Sequence, residues 1–236
     1  ELAATFAIAD SATNVKAATT GENQNAVQDA ASIAITGNLT VAELDAIFVT
    51  AQNGDDLVRG TTLTYNISDT AANIFSNSGV MPASGATNTQ QKATNITVSD
   101  GASVAQVVSL NSVRGNYTGA TFTIEDSVSN IDGAATTVTA AAASVVAEDT
   151  LSNLNSATTA QKAKISSYKI TGTVDPANTG TDVTQVNTLA AAKTTVYNLV
   201  SSTYAELTST TTGVSTFVNA AAALTISDDV TVAQYN

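Results

Sequence analysis

The stretch Ile96-Thr97-Val98-Ser99-Asp100-Gly101-Ala102-Ser103-Val104-Ala105-Gln106 decides the reading of this chain, because it recurs. It returns as Ile33-Ala34-Ile35-Thr36-Gly37-Asn38-Leu39-Thr40-Val41-Ala42-Glu43 and as Leu224-Thr225-Ile226-Ser227-Asp228-Asp229-Val230-Thr231-Val232-Ala233-Gln234. In each copy apolar and small polar residues alternate, as on a half-buried strand. A turn follows, and then a Ser or Thr with Glu or Gln three residues later, the pattern of a capped helix start. The unit is strand, turn, helix, and its repetition predicts a stacked array.

Taking the turn position after each strand as a marker, the units fall at Asp10, Gly37, Asp69, Asp100, Asp126, Asp149, Gly172, Val200 and Asp228. The spacing averages about 27 residues, within the range of solenoid repeats. Two positions before the markers stand Ile8, Ile35, Ile67, Val98, Ile124, Ala147, Ile170, Asn198 and Ile226. Four positions before stand Phe6, Ile33, Tyr65, Ile96, Phe122, Val145, Tyr168, Val196 and Leu224. A spacing of two puts both sets on one strand face, and all but Asn198 are apolar or Tyr, which predicts a continuous core column. Five positions before the markers the chain reads Thr5, Ser32, Thr64, Asn95, Thr121, Ser144, Ser167, Thr195 and Ala223. This ladder of small hydrogen-bonding side chains is either a solvated face of β-tolerant residues or a flat recognition face for another subunit, a glycan or ice. The expected fold is α/β, a repeat solenoid of about nine strand-plus-helix rungs with a parallel sheet backed by helices, in a single array over residues 1–236. The alternative is an all-β parallel helix.

Two kinds of rung are distinguishable past the marker. Thr40/Glu43, Ser103/Gln106, Thr203/Glu206 and Thr231/Gln234 read as capping boxes. In Asp10-Ser11-Ala12-Thr13-Asn14, Asp69-Thr70-Ala71-Ala72-Asn73, Asp126-Ser127-Val128-Ser129-Asn130 and Asp149-Thr150-Leu151-Ser152-Asn153 the marker Asp is itself the expected cap. Asn14, Asn73, Asn130 and Asn153 are expected to bond the backbone of the neighbouring rung. Helical stripes such as Val41, Leu44, Ile47 and Phe48, or Val104, Val107, Val108 and Leu110, are expected to pack on the inward strand face. The segments Gln52 to Asp56 and Ser78 to Gly85 read as loops, and Asp175-Pro176-Ala177-Asn178-Thr179-Gly180 as a protrusion after the seventh strand, with a helix resuming near Asp182 to Val186.

Composition excludes several chemistries. The 236 residues contain no Cys, His or Trp, and 8 Lys plus Arg face 20 Asp plus Glu for a net charge of −12. Thiolate and imidazole metal ligands, a Ser-His-Asp triad and disulfides are therefore impossible, and no metal or cofactor is expected. The acidic balance makes nucleic acid an unsuitable partner. No run approaches the ~18 apolar residues of a membrane span. Acid pairs such as Glu125/Asp126 and Glu148/Asp149 suggest glycoside hydrolysis, but neighbours on a strand point to opposite faces, so the reading is of a protein that is not an enzyme. Asn38-Leu39-Thr40, Asn66-Ile67-Ser68, Asn95-Ile96-Thr97 and Asn116-Tyr117-Thr118 match glycosylation acceptors, as coincidence produces in a chain rich in Asn and Thr.

Phrases such as Ile67-Ser68-Asp69-Thr70-Ala71-Ala72-Asn73-Ile74 resemble those of long Ala/Thr/Ser-rich repeat proteins of bacterial surfaces, both S-layer-like and adhesin-like. The resemblance implies an extracellular structural role at the cell surface, in a surface layer, filament or adhesin segment, and carries over no catalytic residue. The runner-up is a binding module that uses the Thr/Ser/Asn face for glycan or ice. Phe6 and Ile8 in the first strand, and Leu224 and Ile226 in the last, lack a Pro or Lys block nearby. They are the expected assembly ends, meeting head to tail in a homo-assembly or joining neighbouring repeats of a longer chain.

Overall fold

The computed structural model describes residues 6–18, 24–50, 62–75 and 93–227. The chain divides into two compact units, Glu1–Thr123 and Ile124–Asn236. The first contains β1 (Ala7–Ser11), α1 (Ala12–Ala18), α2 (Gln24–Asp29), β2 (Ser32–Leu39), α3 (Val41–Thr50), β3 (Thr62–Asp69), α4 (Ala71–Ile74), β4 (Asn95–Ala102) and α5 (Val104–Arg114). The division falls inside β5 (Ala120–Asp126). The second unit continues with α6 (Val128–Gly133), α7 (Thr136–Ala141), β6 (Ser144–Asp149), α8 (Leu151–Ser156), α9 (Thr159–Ala163) and β7 (Ser167–Val174). A π turn over Thr179–Val183 leads into α10 (Thr184–Ala192), followed by β8 (Thr195–Ser202), α11 (Tyr204–Leu207), α12 (Val214–Ala220) and β9 (Ala223–Ile226).

Among the described residues nine parallel strands follow one another in chain order and alternate with helices, a solenoid-like α/β arrangement. The helices exclude the all-β parallel helix. Most are of 4 to 7 residues, too short to persist alone, so packing and caps must hold them. The inward strand residues Ile33, Tyr65, Ile67, Ile96 and Phe122 are buried in the first unit, and Ile124, Ala147, Tyr168 and Ile170 in the second. Leu44, Ile47, Val107 and Leu110 cover the first set from the helix side; Ile131, Leu154, Val186 and Leu189 cover the second. Each large side chain so buried contributes about 1.5–3 kcal/mol. Val108, expected in the stripe, is exposed, because the inward face is filled by Val107 and Leu110. Phe48, both loops of the first unit and the Thr231/Gln234 box lie outside the described residues.

The strands are staggered by about two residues relative to the column read from the sequence. Ile8 pairs with Ile33, Ile67 with Ile96, and Ala147 with Tyr168, where the sequence reading aligns Ile8 with Ile35, Ile67 with Val98 and Ala147 with Ile170. An even slip preserves which face each side chain occupies, so the core column survives it. The stagger also sets Asp69, Asp100 and Asp149 beside the start of the preceding helix.

Rung eight corrects the reading. Tyr197 and Leu199 are buried there, while Val196 is 45% exposed and Asn198 is exposed. Inward residues are separated by four positions in Ile35/Leu39, Val98/Ala102 and Ile170/Val174, but by three in Leu199/Ser202. Counting back from the Thr203/Glu206 box therefore lands one residue out of phase. The Tyr197 ring stacks on Phe217 at 5.2 Å and its hydroxyl donates to the Phe217 carbonyl, so the polar group that Tyr197 buries is paired.

Candidate functional site: outer sheet face and edge strands

The outward ladder is real over most of its length. Thr64, Asn95 and Thr121 are exposed, and Ser32, Ser144 and Ser167 are half-buried. The Asn95 amide donates to Asn66 Oδ1 at 3.0 Å across the register pair of β3 and β4, so two of the glycosylation-like asparagines bond each other. Thr195 does not belong to the ladder. The phase of β8 puts it on the inward side with Tyr197 and opposite Tyr168, and its hydroxyl donates to the Lys193 carbonyl at 3.0 Å. Thr5 lies outside the described residues.

The second unit carries a charged cluster on its own outward strand face, which the sequence reading missed. Lys169 pairs directly with Glu148 in the β6–β7 register, its ammonium 3.1 Å from the Glu148 carboxylate, and it also bonds Glu125. These bonds to Glu125 and then Glu148 hold the Lys169 ammonium above its ordinary pKa. Glu125 and Glu148 thus flank a cation. Their neighbours Asp126 and Asp149 each accept the N–H of the following Ser or Thr at 2.8 Å, so the two acid pairs are divided between ion pairing and capping.

Caps form the second repeated feature. Thr70, Ser127 and Thr150, not the preceding Asp, are the caps of α4, α6 and α8, each accepting an N–H three residues on. The marker Asp binds its own cap N–H, and the motif Asn donates to that Asp: Asn14 to Asp10, Asn73 to Asp69, Asn130 to Asp126 and Asn153 to Asp149, each at 2.7 Å. The asparagines therefore do not reach the neighbouring rung; the aspartates do. Val41 N–H donates to Asp69 Oδ2 at 2.9 Å, Ala71 N–H to Asp100 Oδ1 at 2.6 Å and Val128 N–H to Asp149 Oδ2 at 3.1 Å. Each satisfies a helix-start donor that its own helix cannot. The boxes Thr40/Glu43, Ser103/Gln106 and Thr203/Glu206 form as expected, and Thr158/Gln161 adds another. The segment Asp175 to Gly180 closes on itself: Asp182 accepts from Asp175 N–H at 2.9 Å and from the Asn178 amide at 3.0 Å.

Two local features remain. Between α5 and β5, Gly115, Asn116, Tyr117 and Gly119 all have positive φ, a run held by the Arg114 guanidinium on the Thr94 and Thr118 carbonyls at 2.9 and 3.2 Å. Beside the end of β7 a cleft of about 390 Å³ is lined by Thr150, Ser152, Thr171, Thr173, Asp182 and Gln185.

The edge strands expose the residues named as assembly ends. Phe6 is 39% exposed, Leu224 47% and Ile226 38%, while Ile8 is half-buried. Among the described residues β1 is hydrogen-bonded only to β2, and β9 only to β8. These strands and caps define a parallel α/β repeat. No protein-family model and no curated protein matches the chain.

Proposed function

We propose that this chain is a non-enzymatic structural protein that works by assembly, as an extracellular surface-layer, filament or adhesin segment. The observation that carries the reading is the exposure, among the described residues, of the apolar side chains Phe6, Leu224 and Ile226 on the two edge strands. A soluble monomer ordinarily blocks such edges with charge, Pro or a covering element. A duty shared by the polar groups adds support: the marker carboxylates hold rung to rung and offer no convergent acid and base. Negative-stain imaging of the native particle tests the reading. Fibres, rings or sheets are expected, and isolated compact monomers at every concentration would overturn it.

A second reading, glycan binding, is favoured by the exposed Thr64, Asn95 and Thr121 and by the hydroxyl-lined cleft at Thr171 and Thr173. It predicts saturable oligosaccharide binding by monomer, lost in Thr171→Val/Thr173→Val. Absence of binding to a glycan array excludes it.

A further inference from the structure

Resting on the glycan-binding reading above, we propose that the cleft beside the end of β7 is a binding site for a short, uncharged saccharide.

The cleft lies where rung seven lacks a carboxylate. Asp69, Asp100 and Asp149 each accept the N–H of the first residue of the preceding helix, Val41, Ala71 and Val128 respectively. The marker of rung seven is Gly172, which has no side chain to offer Leu151, the first residue of α8, and a Cβ built on it would meet nothing within 4 Å. Leu151 lines the open volume of about 390 Å³ instead. Gly37, the other glycine marker, likewise leaves a cleft, of about 330 Å³, at Ala12, the first residue of α1.

The two clefts differ in chemistry. Ala12, Ala42, Ala46 and Ile47 give the Gly37 cleft a mainly apolar lining. The Gly172 cleft is lined by Ser152, Thr171, Thr173 and Thr181, with Asp182 and Gln185. Those four hydroxyls make no hydrogen bond among the described residues, whereas Thr184 and Thr188 just beyond donate to the Thr179 and Thr184 carbonyls at 2.8 Å. A free hydroxyl in water costs nothing by itself. Four of them on one concave wall, each able to donate and to accept, match the hydroxyls of a sugar ring.

The two longer side chains are oriented in advance. Asp182 is fixed by Asp175 N–H and the Asn178 amide, and each of its oxygens keeps a lone pair for a ligand hydroxyl. Gln185 Oε1 accepts from the Asn155 amide at 3.3 Å, which leaves the Gln185 amide N–H groups as donors. Such preorganisation lowers the ordering cost of binding. The volume is near the low end of small-ligand sites, ~300–1,000 Å³, so the saccharide is short. Charge sets its class: among the lining residues Asp182 alone is ionised, and neither Lys nor Arg stands with it. An acidic sugar meets a like charge there; an uncharged one does not.

Titration calorimetry with cellotriose, maltotriose, mannotriose and chitotriose, beside trigalacturonate, tests the site. Saturable binding of at least one neutral trisaccharide is expected, with trigalacturonate weaker by about tenfold or more and the gap narrowing as salt rises. Thr173→Trp, at an exposed position on the cleft wall, weakens the neutral sugar by about tenfold or more, and Thr171→Val/Thr173→Val, which keeps the shape of the wall, does so too. Ala42→Trp in the Gly37 cleft and Thr64→Trp on the outer sheet face leave binding unchanged. If binding survives both cleft variants and is lost in Thr64→Trp, the cleft is the wrong site and the glycan reading stands. If trigalacturonate binds as tightly as the neutral sugars, the ligand class is wrong. If no sugar binds the wild type, both the site and the glycan reading fall.

Discussion

Asp69 binds three donors with two oxygens: Thr70 N–H and the Asn73 amide on Oδ1, and Val41 N–H on Oδ2. Removing it leaves two backbone N–H groups without partners in a part of the molecule where Asp69 itself is 8% exposed, so Asp69→Ala is expected to cost about 2–4 kcal/mol in urea unfolding. Burial pulls its pKa upward, but the bonds from Asn73, Val41 and Thr70 outweigh it and hold the carboxyl below the ordinary 3.8. Asn14 and Ser11 lower Asp10 likewise, and Thr40 lowers Glu43. A carboxylate whose folded pKa is depressed adds stability that is complete above its unfolded value and lost as pH falls through the folded one. With no His to titrate, the urea midpoint should stay level from about pH 5 to 8 and fall below about 4, less steeply in Asp69→Ala. A midpoint that shifted between pH 6 and 7 would mean that other groups control folding.

At the scale of elements, the strand-to-helix junction sets the type of rung. In one type Ser or Thr caps the helix directly after the marker; in the other the strand runs on to a buried Leu39, Ala102, Val174 or Ser202 first. Two of these longer junctions, at Gly37 and Gly172, turn through φ of +84° and +80° with a bulge in the ladder. A Cβ at Gly37 meets open space, so Gly37→Ala carries only the left-handed strain of about 1 kcal/mol. Gly119→Ala should cost more by thermal melt, since its Cβ would stand 2.5 Å from the Thr94 carbonyl oxygen. Strand, helix and three of the capping boxes were legible from local pattern, because alternation and Ser/Thr-x-x-Glu/Gln spacing are local properties. The phase of β8 was not, because a junction shortened by one residue leaves no mark except the polar Asn198 in a column of apolar residues. The Lys169 cluster was hidden for another reason: its neighbours are set by the stagger, which no single rung encodes. Ile124 is fully buried and Thr121 is exposed, so Ile124→Ala should cost ~2–5 kcal/mol and Thr121→Ala under ~1. Equal losses would mean that both faces are covered.

At the scale of the whole molecule, the same rung builds both units, so whatever joins rung to rung inside the chain is available to join copies of it. The sequence showed where apolar residues sit in the first and last strands; it could not show that Asp69, Asp100 and Asp149 tie one rung to the next, because their donors arrive from residues about 20 to 30 positions away. The most direct measurement is the sedimentation of wild-type protein across a wide concentration range, beside Phe6→Lys and Ile226→Lys. The account predicts mass that grows with concentration in wild type and a monomer in either variant, since a buried, unpaired ammonium at the joint opposes contact. Wild type that sediments as a monomer throughout, or variants that assemble as readily as wild type, would contradict it.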